Sequence, residues 1–379
     1  MTTVRCLSLS GTTDDGWSLS EVEVPLEDLR SRLSRRGGPT LWLDLVQDDG
    51  PDGGAVAEVA EALGLRGTEI EGILGRHARA KAVHRTDHLA FVVYAPVPVG
   101  EAARAARGED PEAPEEGAPQ PRRGEDQFRA TRIAGFVHPG GVVTVRSDDA
   151  FDLAPVREDW AHDEGAPLGA SGLAHLVLDA VVDAQFWAAQ WMDDRLDDLE
   201  DDVFEAAGRS AGIENVAAAL RGELTRLRRW IQPMASVIDR LRPGTEDGRG
   251  SADAAHGAAQ PSSSDRPEGP DGTLELRSLH AELADHAART EEWLDSQHET
   301  LTSVVQTHLA LQDQHLNVVM RKLAGWAAVV SIPTLVTGWF GINVPYPGFG
   351  SPVGLVIAAV LVLVPTLAVG ILMRRARWI

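Results

Sequence analysis

Leu323-Ala-Gly-Trp-Ala-Ala-Val-Val-Ser-Ile-Pro-Thr-Leu-Val-Thr-Gly-Trp-Phe340 is a mostly apolar run without a charged residue. A helix of about 18 such residues is long enough to cross most of the hydrocarbon core of a bilayer. A row of small and polar side chains passes through it in steps of three and four, which keep one helix face directed at a common axis. The row comprises Ser303, Gln306, Ala310, Asp313, Asn317, Met320, Ala324, Ala327, Ser331, Thr334, Gly338 and Gly341.

Polar side chains inside hydrocarbon must face protein or water, because lipid cannot satisfy their hydrogen bonds. Two interpretations of the row remain open. The first is a pore lining, and the second is close packing of small residues between membrane helices. Because the same register continues outside the membrane through Asp313 to Gln306, the pattern favours a pore.

A second uncharged run, residues 353–373, is long enough for another membrane span. The loop between the runs, 341–352, carries no charge, whereas basic residues stand at their other ends. By the positive-inside rule we expect both termini in the cytoplasm and the loop outside. Without a recognisable signal peptide, the sequence predicts a multi-pass protein in the lipid of the cytoplasmic membrane. The basic residues are Arg321, Lys322, Arg374, Arg375 and Arg377, the last three in a tail at 374–379.

The composition restricts the kinds of partner that this protein is expected to bind. A formal net charge of −22 disfavours nucleic acid and favours divalent cations. One cysteine, Cys6, excludes an internal disulfide and a cysteine-based metal cluster within one chain. Because no Ser/His/Asp, phosphate-loop or His-rich zinc motif stands out, we expect neither an enzyme nor an organic cofactor.

The first 170 residues have the pattern of a cytosolic α/β domain, with apolar and β-branched runs bounded by Gly, Pro and Asp. Strands are predicted at 41–45, 88–95, 133–137 and 142–146, and helices at 54–63 and 68–74. Residues 100–126 lack periodicity and are rich in Glu, Ala, Pro and Gly, which predicts a disordered insertion.

Helical patterns take over from residue 171. An acidic helix up to residue 207 is followed by a basic helix over 215–241, which predicts a charged helical hairpin at 171–242. The opposite charges of its two arms explain much of the acidic run without a metal.

Residues 243–272 are rich in Gly, Ser, Asp and Pro and predict a flexible linker. The stalk at 273–322 then continues into the first span, 323–340, as one helix of about 100 Å. A helix of this length must pack against copies of itself or against other helices.

Three stretches carry a resemblance to a known family: Asn317-Val-Val-Met-Arg-Lys-Leu323, Pro333-Thr-Leu-Val-Thr-Gly-Trp-Phe-Gly-Ile-Asn343 and Arg374-Arg-Ala-Arg-Trp378. They resemble the CorA family of divalent-metal transporters, whose diagnostic Gly-Met-Asn motif reads Gly341-Ile342-Asn343 here. Apart from the two low-complexity segments, the similarity covers nearly the whole chain. It implies a funnel-shaped homopentamer that takes up Mg²⁺, and also Co²⁺ or Ni²⁺, through a central pore gated by cytosolic Mg²⁺.

Carried over residue by residue, the family's pore positions fall mostly on the row already described. They are Asn317, Met320, Leu323, Ser331, Thr334, Gly338 and Asn343, with Leu323 one residue off the row. A ring of Asn343 amides would accept hydrogen bonds from the water shell of Mg²⁺, an ion that dehydrates reluctantly.

The remaining roles follow from position along the helix. Met320, Leu323, Ala324 and Ala327 would form an apolar collar that gates by dewetting. The five basic residues at the inner ends of the spans would form a collar at the cytosolic mouth. Glu282 and Asp285 match the family's regulatory acids, which bind Mg²⁺ between subunits and hold the pore shut.

Two rival functions stay open on the sequence. Ile342 replaces the motif's methionine, a replacement that the family's zinc-transporting, ZntB-like branch tolerates, so Zn²⁺ transport, perhaps coupled to protons, is one alternative. Histidines along the stalk, His280, His286, His298, His308 and His315, suit Zn²⁺ by type but are irregularly spaced. The other alternative is a membrane-anchored metal sensor or scaffold that conducts nothing.

Overall fold

A computed structural model describes residues 3–12, 16–47, 54–65, 67, 70–75, 78–108, 126–162, 166–206, 212–242, 270–341, 348, 350–376 and 378. The chain divides into two compact units, Met1–Asp198 with Asn215–Leu301, and Leu199–Glu214 with Thr302–Ile379. The predicted fold class is confirmed: an α/β domain is followed by a long helix and a C-terminal apolar helix.

The first unit is built on a seven-stranded sheet with the order β2-β1-β3-β7-β6-β5-β4. The strands are β1 (Thr3–Thr12), β2 (Gly16–Pro25), β3 (Thr40–Val46), β4 (Lys81–His84), β5 (Leu89–Pro98), β6 (Phe128–His138) and β7 (Gly141–Arg146). Only the pairing of β3 with β7 is parallel among the pairs of described strands; the others are antiparallel.

Helices cover the sheet and lead away from it. They are α1 (Leu26–Leu33), α2 (Gly54–Leu63), α3 (Gly100–Ala106), α4 (Ala154–His162), α5 (Gly169–Ala206), α6 (Ile213–Ile231), α7 (Met234–Leu241), α8 (Pro270–Phe340) and α9 (Pro352–Arg375). A π-helical turn, Ile70–Leu74, and a short 3₁₀ turn, Ala166–Leu168, complete the described elements.

Both faces of the sheet are buried. One face packs α1 and α2 over residues such as Leu41, Leu43 and Phe136. On the other face, Trp42 and Phe91 pack with Trp160 of α4, the first half of α5, α7 and the early part of α8. A sheet buried on two sides explains why its central strands read as nearly continuous apolar runs rather than as alternating ones.

An ion pair ties together the two parallel strands at the centre of the sheet. Arg146 Nη2 donates to Asp44 Oδ2 over 2.7 Å, and Thr144 Oγ1 donates to Asp44 Oδ1 over 2.6 Å. Trp42 Nε1 in turn donates to Thr144 Oγ1. The Trp42-Leu-Asp44 triplet therefore contributes to the packing and polar bonding of the sheet.

The structure corrects the predicted boundaries in two places. The basic helix predicted at 215–241 is two helices, α6 and α7, because Pro233 lacks an N–H and ends the first. The insertion predicted to be disordered at 100–126 begins with α3, so the prediction is wrong for its first residues. Residues 109–125, and 243–269 of the predicted linker, lie outside the described residues.

Gln127, the residue that follows the 100–126 segment, is bound by hydrogen bonds to two helices. Gln127 N donates to Glu223 Oε1 over 2.6 Å, and Gln127 Oε1 accepts from Glu101 N over 3.1 Å. Glu223 is buried, and burial raises the pKa of its carboxyl, while Arg226 beside it partly offsets that effect. These contacts join α3, the start of β6 and α6.

Candidate ion pathway on the long helix

Helix α8 has one buried face along the first unit. The buried positions recur in steps of three and four, and each side chain is between 0% and 4% exposed. They are Leu276, His280, Leu283, Ala287, Thr290, Leu294, Gln297 and Leu301. Gln297 Nε2, for example, donates to Ala189 O over 2.8 Å and to Asp193 Oδ1 over 3.2 Å on α5. This face attaches the helix to its own domain.

The same face continues through the second unit. Val304 and His308 are buried there, and His308 Nε2 lies 3.3 Å from Glu214 Oε1. Further along, Gly325 is buried and Val329, Ile332 and Val336 are half-buried. This side is covered as far as His308 and again from Gly325, whereas every residue from Asp313 to Ala324 is exposed.

The row of small and polar residues found in the sequence lies on the opposite side of α8. Gln306 follows the buried Val304 by two residues, which is about 200° around a helix. All twelve residues of the row, from Ser303 to Gly341, are exposed in the single chain. Leu323, one position off the row, is exposed as well. A continuous face is thus left uncovered by the protein's own chain.

The exposed face extends further towards the N-terminus than the sequence analysis recognised. Its additional members are Glu275, Ser278, Glu282, Asp285, Arg289, Glu292, Ser296 and Glu299, all exposed. The signal was present, since these residues keep the spacing of three and four without interruption. Their charges resemble those of any solvated helix surface, so only the burial of the opposite face distinguishes them.

Two hydroxyl groups of the row lie within the apolar run. Each donates its proton in a hydrogen bond, and its oxygen can still accept one. Ser331 Oγ donates to Ala327 O over 2.7 Å, and Thr334 Oγ1 donates to Val330 O over 2.9 Å. Because each hydroxyl uses its only proton on the helix backbone, its oxygen presents lone pairs away from the helix. An oxygen in this state can accept a hydrogen bond from water around a cation.

The ends of the spans carry the predicted motif and basic collar. Helix α8 ends at Phe340, and Gly341 N donates to Thr337 O over 2.9 Å. Ile342 and Asn343 lie outside the described residues, as does Arg377. Arg321 and Lys322 are exposed within α8, directly before its apolar run, and Arg374 and Arg375 are exposed in the last turn of α9.

The proposed regulatory acids share the exposed face of α8. Glu282 and Asp285 are both exposed, and Asp285 Oδ2 pairs with Arg289 Nη2 over 2.9 Å. An open cleft of about 500 Å³ adjoins Asp285 and includes Asp239 of α7. Among the described residues of one chain, no three His, Cys, Asp or Glu side chains are grouped to hold a metal.

The stalk histidines are not brought together. His280 packs against His175 with the ring centroids 5.2 Å apart, and His286 packs against Phe186. His308 instead contacts Glu214 and Gln312. These are separate contacts along the helix, which does not gather a zinc ligand set from the described histidines of one chain.

Two buried histidines are expected to make the stability of the first unit depend on pH. Burial, the neighbouring His175 and Arg242 lower the pKa of His280 to about 4; burial and the neighbouring His88 do the same for His138. The unfolded chain therefore binds more protons than the folded chain between pH 6.5 and 4. The contribution of each histidine to the free energy of unfolding is fully present above pH 6.5 and is lost as the pH falls to 4. Each histidine is expected to contribute about 3 kcal/mol to this loss.

Replacing these histidines tests that dependence. His138→Gln and His280→Gln should each reduce the fall in the thermal midpoint of tryptophan fluorescence between pH 7.5 and pH 5. His315→Gln, at an exposed position of α8, serves as the matched control and should leave the fall unchanged. An unchanged pH dependence in both buried variants would contradict the assignment.

Comparison with known proteins places this arrangement in a family. The family profile described as "CorA-like Mg2+ transporter protein" matches residues 118–375, which is more than half of the chain. The complete structure of the CorA magnesium transporter from Methanocaldococcus jannaschii superposes with a TM-score of 0.68 at 16% identity, over 100% of both chains. Among curated proteins, none matches the chain significantly.

Two further solved structures share the fold. The full-length CmaX protein has a TM-score of 0.62 at 18% identity, covering 99% of this chain and 98% of that one. The cytoplasmic domain of ZntB from Vibrio parahaemolyticus RIMD 2210633 has a TM-score of 0.50 at 11% identity, covering 82% of this chain and 98% of that one. At such identities the similarities establish the fold alone.

The fold and the exposed row define a class of protein in which an α/β domain is followed by two helices that are long and apolar enough to cross a membrane, and the long helix α8 is itself the first of the two. The family profile then makes the assignment specific. The chain belongs to the CorA-like family of divalent-cation transporters.

Proposed function

We propose that this protein takes up Mg²⁺, and also Co²⁺ or Ni²⁺, through a central pore formed by five copies of the chain. One observation carries the proposal. Helix α8 is buried on one face along its own domain, and the opposite face is exposed without interruption from Glu275 to Gly341. Small and polar residues on that face inside an apolar span need water or protein around them. Five such faces around one axis would supply a water-filled path.

The chemistry of the path suits a hydrated divalent cation. At the outer end, a ring of Asn343 amides would accept hydrogen bonds from the ion's water shell, so the ion need not be stripped. Further in, the hydroxyl oxygens of Thr334 and Ser331 offer acceptors of the same kind, because their protons are used on the helix backbone. Asn317 and Asp313 would provide the next polar rings.

Gating is assigned to two places on the same helix. Met320 and Leu323 are both 62% exposed in the single chain, and a ring of these side chains would close the path by excluding water. Glu282 and Asp285 would bind cytosolic Mg²⁺ together with acids of a neighbouring subunit. At low cytosolic Mg²⁺ the unscreened carboxylates would repel each other and release the collar.

The driving force is the membrane potential, which favours entry of a divalent cation by about 4.6 kcal/mol per 100 mV. The proposed topology places the exposed Arg321, Lys322, Arg374 and Arg375 on the cytoplasmic side, together with both termini. The outer loop, which carries no charge, would then bring only amide and backbone groups to the entrance.

Zn²⁺ transport is the second candidate, and Ile342 is the observation that favours it. The residue replaces the methionine of the Gly-Met-Asn motif next to the proposed selectivity ring. A stiffer, β-branched side chain at this position can alter how closely the amides approach. A proton-coupled Zn²⁺ carrier would then use the same path with a different selectivity.

Uptake into proteoliposomes that contain the purified protein tests these functions against one another. Mg²⁺ and Zn²⁺ entry is measured with and without a membrane potential and with and without a pH gradient. Mg²⁺ entry that follows the potential and is independent of the pH gradient supports the Mg²⁺ channel. Zn²⁺ entry that requires a proton gradient supports the second candidate, and no entry of any divalent cation would indicate a sensor or scaffold.

The acidic residues at the cytosolic end of the exposed face lead to a specific prediction. Glu292→Gln with Glu299→Gln should lower Mg²⁺ flux about two- to fivefold at low ionic strength, because rings of carboxylates raise the local cation concentration. The difference should shrink in high salt, which screens exposed charges. Glu58→Gln with Glu61→Gln removes the same charge from exposed positions on α2 and should change the flux little. Equal effects from the two pairs would contradict a role of this face in conduction.

A further inference from the structure

Three polar side chains meet where the start of α6 contacts the covered face of α8, within the second unit. They belong to Glu214, His308 and Gln312. His308 Nε2 is 3.3 Å from Glu214 Oε1 and 2.9 Å from Gln312 Nε2, and Gln312 Nε2 donates to Glu214 Oε1 over 3.0 Å. These three atoms therefore form a closed triangle, in which each atom is within hydrogen-bond distance of the other two.

The local structure explains why these side chains converge. His308 and Gln312 are four residues apart on α8, so their side chains share one face of the helix. Glu214 lies in the first turn of α6. Ile213, next to Glu214, and Val304, one turn before His308, are both buried. The two helix segments that carry the triangle are thus anchored by packing.

Hydrogen bonds alone fit this triangle poorly. By the cosine rule, the three distances give an angle of about 70° at Gln312 Nε2 between its two neighbours, His308 Nε2 and Glu214 Oε1. The two N–H bonds of a planar amide diverge by about 120°, so they cannot both be directed straight at these neighbours. Bent hydrogen bonds are weak. The three atoms are therefore closer together than linear hydrogen bonds require.

The same triangle matches one face of a metal coordination shell. Zn²⁺ binds histidine nitrogen and carboxylate oxygen at about 2.0–2.2 Å, so two ligand atoms are about 2.9 Å apart at a right angle and about 3.4 Å apart at the tetrahedral angle. The separations of 2.9, 3.0 and 3.3 Å lie in this range. A half-turn of the Gln312 amide would place its oxygen at the third corner, because the amide carries an oxygen and a nitrogen of similar size.

The surroundings of the triangle suit an ion that enters from solvent. His308 is 1% exposed, and its Nδ1 has no hydrogen-bond partner, so the triangle provides the only polar contacts of this ring among the described residues. Glu214, in contrast, is exposed. Packing thus holds a nitrogen ligand in place beside a carboxylate that water can reach, and water molecules could complete the coordination shell.

We propose that Glu214, His308 and Gln312 bind a divalent transition-metal ion, Zn²⁺, Co²⁺ or Ni²⁺, and that this ion fastens the start of α6 to α8. The imidazole nitrogen favours these ions over Mg²⁺, which prefers ligands made of oxygen alone. Only one histidine takes part, together with a carboxylate and an amide. The site lies on the covered face of α8, so it is separate from the exposed row that is proposed as the ion's path.

Equilibrium binding of Zn²⁺ to the purified full-length protein tests the site. Excess Mg²⁺ is present throughout, because it competes for sites that consist of oxygen ligands alone. Glu214→Gln removes the charge of one ligand, and His308→Gln removes the nitrogen ligand. Each variant should lose one bound Zn²⁺ per chain or bind it at least about tenfold more weakly. His315→Gln, which replaces an exposed histidine about two turns further along α8, is the control and should keep this ion.

Amide hydrogen exchange then locates the ion and checks the folding of the variants. Zn²⁺ should slow exchange in the first turns of α6 in the unmodified protein and in His315→Gln, but not in Glu214→Gln. Without metal, Glu214→Gln should exchange like the unmodified protein, because the residue is exposed and glutamine has nearly the same shape. This variant keeps the test decisive even if His308→Gln, at a buried position, does not fold.

Loss of one Zn²⁺ per chain and of the slowed exchange in Glu214→Gln supports the proposal. Zn²⁺ binding and exchange that are the same in Glu214→Gln and in the unmodified protein would overturn it, and the triangle would then be a set of hydrogen bonds only. Equal slowing of exchange by Mg²⁺ would contradict the assignment to transition-metal ions. Transport enters none of these measurements, so the proposed pore can fail or stand independently of this site.

Discussion

Asn343→Ala is expected to lower Mg²⁺ uptake about a hundredfold or more and to leave the assembly intact. Each amide that contacts the hydrated ion contributes a hydrogen bond worth about 1 kcal/mol, and the substitution removes it from every subunit at once. Tenfold in rate corresponds to about 1.4 kcal/mol, so the loss of several such bonds is large. The measurement is initial uptake into proteoliposomes at a fixed membrane potential.

Two controls keep this result interpretable. Asn343→Gln retains an amide and should preserve more uptake than Asn343→Ala does. Native mass spectrometry of both variants shows whether the ring of copies persists. Normal uptake by an assembled Asn343→Ala protein would remove the amide ring from the mechanism, and it is the result that a sensor or scaffold predicts.

Met320→Ser combined with Leu323→Ser is expected to raise uptake about tenfold when cytosolic-side Mg²⁺ is high, because a polar constriction stays wet where an apolar one empties. Both side chains are exposed in the single chain and lie on or beside the exposed row. The measurement is Mg²⁺ influx into proteoliposomes that are preloaded with high Mg²⁺, a condition in which the unmodified protein should be shut.

The matched control is Leu361→Ser with Leu372→Ser. These two residues of α9 are exposed and apolar, and they receive the same chemical change away from the exposed row. This pair should not raise influx at high Mg²⁺. If Met320→Ser with Leu323→Ser also leaves influx unchanged, while the protein still conducts at low Mg²⁺, the collar is not the gate.

The long helix was predictable because its exposed row and its membrane span are marked by different residue types. Small and polar residues mark the exposed row from Ser303 onwards, and an uninterrupted apolar run marks the span. The continuation of the row towards the N-terminus was missed because Glu292 and Glu299 look like ordinary solvated residues when read alone. Burial of Leu294, Gln297 and Leu301 on the opposite face is what reveals them as part of one row.

The α/β domain was predicted less completely. Strands rich in Val, Ile and Phe are predicted correctly, whereas β1 and β2 are missed although their alternating polar residues, as in Ser8 and Ser10, have the period of a half-buried strand. Polar groups on the buried face of α8 also have no sequence signal of their own. Histidine and glutamine are also common at surface positions, so the sequence alone does not show that His280 and Gln297 are buried by tertiary packing.

The central claim is that the exposed face of α8 lines the path of the ion. The most direct test is block of Mg²⁺ uptake by a charged methanethiosulfonate at single cysteines in a Cys6→Ser background. We expect block at Ser331→Cys, Thr334→Cys and Gly338→Cys, which lie on the row. Val329→Cys, Ile332→Cys and Val336→Cys, half-buried on the opposite face at similar depths, should stay unblocked. Equal block of both sets, or block of the second set alone, would contradict the claim.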